Sequence, residues 1–78
     1  MSVEQTVKEV FQEVLDIKAE EIKLDQKLDT SLGIDSTEMV EINVALKKRF
    51  NLDMQNNELK KTHSFNEIVQ VLKSKGVN

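Results

Sequence analysis

The sequence predicts an all-α domain, and three observations carry that reading. No proline occurs among the 78 residues, so no helix is broken from within. Charged residues make up 32% of the chain, enough to solvate the outer faces of several helices. No segment shows the period-two alternation of a strand, whereas three segments carry apolar residues at helical spacing. The expected architecture is a four-helix bundle with a long loop between the first and second helices and a short third helix. At this length the chain forms one domain, residues 1–78.

The first helix opens at Ser2, with Gln5 three residues on in a capping-box pattern. Val3, Val7, Val10, Phe11 and Val14 then share one face, while Glu4, Lys8, Gln12 and Glu13 share the other, with Glu4 and Lys8 at pairing distance. From Asp16 to Asp35 the period loosens, and a loop of that length is often functional. Ile17, Ile22, Leu24, Leu28, Leu32 and Ile34 recur along it as anchors against the bundle. The second helix runs from Ser36 to Phe50; at about 100° per residue, Met39, Ile42, Leu46 and Phe50 form one stripe. Thr37, Val40, Glu41, Val44 and Lys48 project from roughly the opposite side. A short helical turn is expected at Asn57–Lys61. The last helix starts at Ser64, with Glu67 completing a second capping box. It buries Phe65, Ile68, Val69 and Leu72 and stops at Gly76.

Composition excludes several functions. With no cysteine there is no disulfide, thiolate metal site or cysteine nucleophile, and any thiol chemistry must arrive on a cofactor. A net charge of −3 disfavours nucleic acid as a partner, since phosphate binding needs a positive field. No apolar stretch approaches the roughly 20 residues that span a bilayer. Met1, Ser2, Glu4 and Gln5 do not resemble a signal peptide, so a cytoplasmic, monomeric protein is expected.

The segment with chemical content is Leu32-Gly33-Ile34-Asp35-Ser36-Thr37-Glu38-Met39-Val40-Glu41. Gly33 permits a tight turn, and Asp35 with Glu38 reads as a helix cap and its acidic third residue. Ser36 then takes the first helical position with its hydroxyl towards solvent. A phosphodiester on that hydroxyl would meet unpaired N–H groups and the positive end of the helix dipole. Taken alone, Asp-Ser before a helix is most often a simple cap.

Over nearly its whole length, however, the sequence resembles the acyl carrier protein family, marked by Gly-x-Asp-Ser at the start of the second of four helices. The likeness includes Val7, Leu15, Leu28, Leu32, Gly33-x-Asp35-Ser36, Val40-Glu41-Ile42, Ala45-Leu46, Phe50 and Ser64. It implies a single carrier domain with a 4′-phosphopantetheine arm, taken from coenzyme A, on Ser36. The arm's thiol would hold acyl intermediates as thioesters for fatty-acid, polyketide or related lipid biosynthesis. Asp35 would help engage the phosphopantetheinyl transferase. Thr37, Val40, Glu41, Val44 and Lys48 would meet that enzyme and the acyl-transferring or condensing enzymes. Leu28, Met39, Leu46, Met54, Leu59 and Thr62 would line a pocket for the acyl chain. The protein itself would catalyse nothing and hold no metal.

Departures from the family pattern point to a specialised member. Thr37 stands where an exposed leucine is usual, and Lys47-Lys48-Arg49 replaces an acidic helix end, although cations there also suit the helix dipole. Asn43 falls at the edge of the buried stripe and needs a hydrogen-bonding partner, and Thr62 replaces an aliphatic residue. With the bulky Leu59 and Met39, these suggest a short or partly polar pocket. His63, the one histidine, has no nearby partner in sequence and reads as a surface residue before a cap. Asp29-x-Ser31-x-Gly33 fails as a calcium loop, because Ile34 and Val40 stand where glycine and glutamate are required. Met39 and Met54 read first as core fillers. Two alternatives remain open: an aminoacyl or peptidyl carrier using the same serine, and an unmodified helical interaction module.

Overall fold

A computed structural model describes residues 2–55 and 57–77. Among the described residues there are four α-helices: α1 (Val3–Leu15), α2 (Leu28–Ser31), α3 (Ser36–Phe50) and α4 (Phe65–Ser74). A 3-10 turn, Ala19–Glu21, precedes α2. The helices enclose one core of aliphatic side chains, at whose centre Phe11 and Phe65 meet edge to face with centroids 5.6 Å apart. Helix α1 packs against both α3 and α4.

Each long helix starts where its capping residue demands. The Ser2 hydroxyl accepts from the Gln5 N–H at 3.1 Å, though the Gln5 side chain is not part of the cap. Asp35 with Glu38 and Ser64 with Glu67 form complete reciprocal boxes. Helices α1 and α3 end at left-handed Asp16 (φ 54°) and Asn51 (φ 53°). Beyond the end of α4 the Gly76 N–H donates to the Lys73 carbonyl, and the φ of 92° at Gly76 turns the chain so that the Val77 N–H reaches the carbonyl of Leu72.

Four expectations are corrected here. The connection from Asp16 to Asp35 is not structureless, since it contains the 3-10 turn and α2. Among its anchors Ile22, Leu28 and Ile34 are buried and Ile17 and Leu32 partly so, but Leu24 is 43% exposed. Its contribution comes instead from its backbone, whose carbonyl accepts from the Asn66 N–H at 3.0 Å. The short helix expected at Asn57–Lys61 is not formed among the described residues; turns closed by Glu58 N–H to Gln55 and His63 N–H to Lys60 replace it. The short helix of the bundle is α2. Finally, Glu4 pairs across to Lys73 of α4 at 3.4 Å, not along its own helix to Lys8.

The segment after α3 is held from several directions. Its Lys61 and His63 carbonyls accept from the N–H groups of Asp29 (2.9 Å) and Leu28 (3.0 Å) at the start of α2. Glu58 forms an ion pair with Lys75 beyond α4, which holds the Glu58 carboxyl below its usual range.

Candidate functional site: an exposed serine at the mouth of a groove

Gly33, left-handed at φ 66°, turns the chain into α3. Asp35 is extended, and its Oδ1 accepts from the Glu38 N–H at 2.8 Å while Glu38 Oε1 accepts from the Asp35 N–H at 3.1 Å. The Met39 N–H closes the first main-chain bond of the helix on the Asp35 carbonyl, so the N–H groups of Ser36 and Thr37 lie ahead of it. Ser36 is the first helical residue, is exposed, and lends its hydroxyl to none of these bonds. The cap is complete without it.

Beside Ser36 opens a groove of about 190 Å³ between α3 and the following segment. Met39, Val40 and Asn43 line one side; Asn57, Leu59, Lys60 and Lys61 line the other. Lys60 Nζ lies 3.5 Å from the Asn57 carbonyl oxygen, at the groove's rim. Asn43 is 1% exposed and fully engaged across the groove's floor. Its Nδ2 donates to the carbonyls of Met39 and Leu59, both at 2.8 Å, and its Oδ1 accepts from the Leu59 N–H at 2.9 Å. The partner that an asparagine in the core stripe requires is therefore the backbone of Leu59.

Of the six residues expected to line a pocket, the structure brings Met39 and Leu59 to this groove. Leu28, Leu46 and Met54 are buried in the core, and Thr62 is exposed elsewhere. Asn57, Lys60 and Lys61 were not singled out from sequence, although two consecutive lysines just after Leu59 were a usable signal. The outward surface of α3 largely follows expectation. Thr37, Val40, Glu41 and Lys48 are exposed and Val44 is half-buried. Arg49 departs, because Glu9 and Glu13 of α1 hold it at 2.7 Å and 3.5 Å. His63 is half-buried, and its Nδ1 accepts from the Lys60 N–H at 3.0 Å, closing the turn that carries the lysines.

A small helical bundle that presents a serine hydroxyl at a helix start, beside a groove, has the form of a carrier domain. The model of a phosphopantetheine attachment site family matches residues 5–72. The chain is 31% identical to an acyl carrier protein of Wolinella succinogenes, over 95% of this chain and 97% of that protein. It is 34% identical to one from Clostridium acetobutylicum (87% and 88%) and 30% identical to one from Campylobacter hominis (100% and 99%). No solved structure matches at the significance these relatives reach. The chain belongs to the phosphopantetheine-bearing acyl carrier protein family. It is a carrier of acyl intermediates and not a catalyst, and its cofactor is covalently attached 4′-phosphopantetheine. The phosphopantetheinyl transferase and acyl-transferring enzymes are its partners. No described helix is long and apolar enough to cross a membrane.

The residues present fit the group. An exposed hydroxyl, two N–H groups ahead of the first helical bond, and lysines along the adjoining groove suit an anionic phosphodiester and the arm that follows it. When bound, the arm supplies the thiol that this cysteine-free chain lacks.

Proposed function

We propose that Ser36 is the attachment point of the phosphopantetheine arm and that Asp35 presents it to the transferase. The observation that carries this reading is the division of labour at the start of α3: Asp35 and Glu38 close the cap between themselves, which leaves the Ser36 hydroxyl exposed and uncommitted. Thr37, Val40, Glu41, Val44 and Lys48 form the docking face, because they share the outward surface of the same helix. The protein acts as a monomer in the cytoplasm and avoids nucleic acid. Among the described residues only Leu24 and Val40 are large exposed apolar side chains, too few for an obligate interface. A thiol-bearing arm persists in a reducing compartment, and the net charge of −3 repels polyanions.

Intact mass after incubation with coenzyme A and a broad-specificity transferase tests the assignment. One arm is added to the wild type and none to Ser36→Ala. Labelling of the variant, or an unlabelled wild type, removes Ser36 from this role.

A further inference from the structure

We infer that Asn43 sets the cargo limit of this carrier. It pins α3 to Leu59, shuts the bundle interior to the acyl chain, and confines the cargo to short acyl groups in the surface groove. The inference rests on Ser36 bearing the arm, and deepens that reading.

The groove has apolar walls of Met39, Val40 and Leu59, and beneath them lies the core. A hydrocarbon chain entering that core must pass between α3 and the segment containing Leu59. The two hydrogen bonds joining Asn43 to the Leu59 backbone lie across this path, with Asn43 1% exposed. Parting them strands three polar groups, the Asn43 amide oxygen and the Leu59 N–H and carbonyl, and leaves the Asn43 amide nitrogen only its bond to Met39. A methylene chain offers none of these a partner, so the intruder incurs their desolvation with nothing in return but apolar burial.

The far wall is itself held on both sides of Leu59. Lys61 and His63 are bonded to the start of α2, and Glu58 is paired with Lys75 beyond α4. What remains is the groove itself, about 190 Å³ and open to solvent along one side. Its rim of Asn57, Lys60 and Lys61 is polar, and among the described residues neither lysine forms an ion pair. A short acyl group fits this space. A long saturated chain does not.

The experiment measures thermal melting by circular dichroism of the holo protein and of four-, eight- and twelve-carbon acyl forms, in wild type and Asn43→Val. Intact mass first establishes one arm on Ser36. In the wild type, stabilisation over the holo form is expected to be complete at the four-carbon chain, with no further rise at eight or twelve. In Asn43→Val the holo form melts lower, and stabilisation now grows with chain length. An asparagine that served stability alone would lower every form equally and leave that length dependence unmoved. Steady growth with chain length in the wild type overturns the inference, and so does an unchanged length dependence in the variant. Should Asn43→Val fail to fold, the wild-type series decides by itself. Failure to load the arm on Ser36 defeats the proposed function, whereas loading followed by long-chain stabilisation of the wild type defeats only this inference.

Discussion

Arg49 and Glu9 tie the end of α3 to the middle of α1 through an ion pair of 2.7 Å, and Glu13 adds a second carboxylate at 3.5 Å. The basic run Lys47-Lys48-Arg49 therefore does two jobs. Its arginine braces two helices, while Lys48 is exposed on the outward surface of α3. Arg49→Gln should destabilise the fold by about 0.2–1 kcal/mol, since both side chains are a third exposed. At ~4–8 °C per kcal/mol for a domain of this size, the melting temperature falls by a few degrees. Lys48→Glu, which puts an anion in the last turn of α3, should lower the melting temperature slightly and raise the association rate with enzymes that serve acidic carriers, most visibly at low salt. Stopped-flow rates over a salt series and paired melting curves check both halves.

Asp35 combines a structural duty with a proposed recognition duty, and two substitutions separate them. Asp35→Ala removes the acceptor for the Glu38 N–H and should cost about 0.5–2 kcal/mol. Asp35→Asn keeps a capping oxygen and should retain most of that stability, yet transfer of the arm to Ser36 should slow because the charge is gone. Equal transfer rates for Asp35→Asn and wild type would confine Asp35 to capping.

Gly33 is needed for its backbone and not for space. A Cβ built there meets nothing within 4 Å, so the penalty of Gly33→Ala is the left-handed conformation alone, about 1–2 kcal/mol. Gly33→Asn should recover part of it, because asparagine tolerates that region. Denaturant melts of the three proteins give the order directly.

Acid should weaken the start of α4 through Glu67. Its carboxyl accepts from the Ser64 N–H at 2.8 Å, and this bond, with smaller help from the Ser64 side chain, His63 and Lys27, holds it below the ordinary carboxylate range. A depressed folded value means stability that is present above the unfolded pKa and lost as pH falls through the folded one. Glu67→Gln should therefore flatten part of the decline in melting temperature below about pH 5. Parallel curves for variant and wild type down to the acid limit would dismiss Glu67 as a source of that decline.

Periodicity made the three long helices legible, because their buried faces repeat at helical spacing and their starts carry Asp35–Glu38 and Ser64–Glu67. Helix α2 was not legible: at four residues it has no period to detect, and main-chain bonds to Lys61 and His63 hold it, which leave no mark on residue type. For the same reason the turns around Asn57–Lys61 were read as a helix. At the site, the places of Asp35 as cap and Ser36 as first helical residue could be read from local capping chemistry. Asn43 could be read only as a polar group in want of a partner, since Leu59 lies sixteen residues away and contributes backbone. Arg49's engagement with α1 was hidden likewise, because a run of cations at a helix end already has a local explanation.

The self-contained cap at the start of α3 has a consequence for the protein's working life. The Ser36 hydroxyl, the proposed point of attachment, takes no part in closing that cap, so the start of α3 is complete without the arm, and a phosphodiester there would only add to it through the unpaired N–H groups. A newly made chain can complete its folding before any transferase arrives. A used chain that has lost its arm is still a finished substrate, ready to be charged again, and the cell can keep a reserve of unloaded carrier without keeping a reserve of unfolded protein.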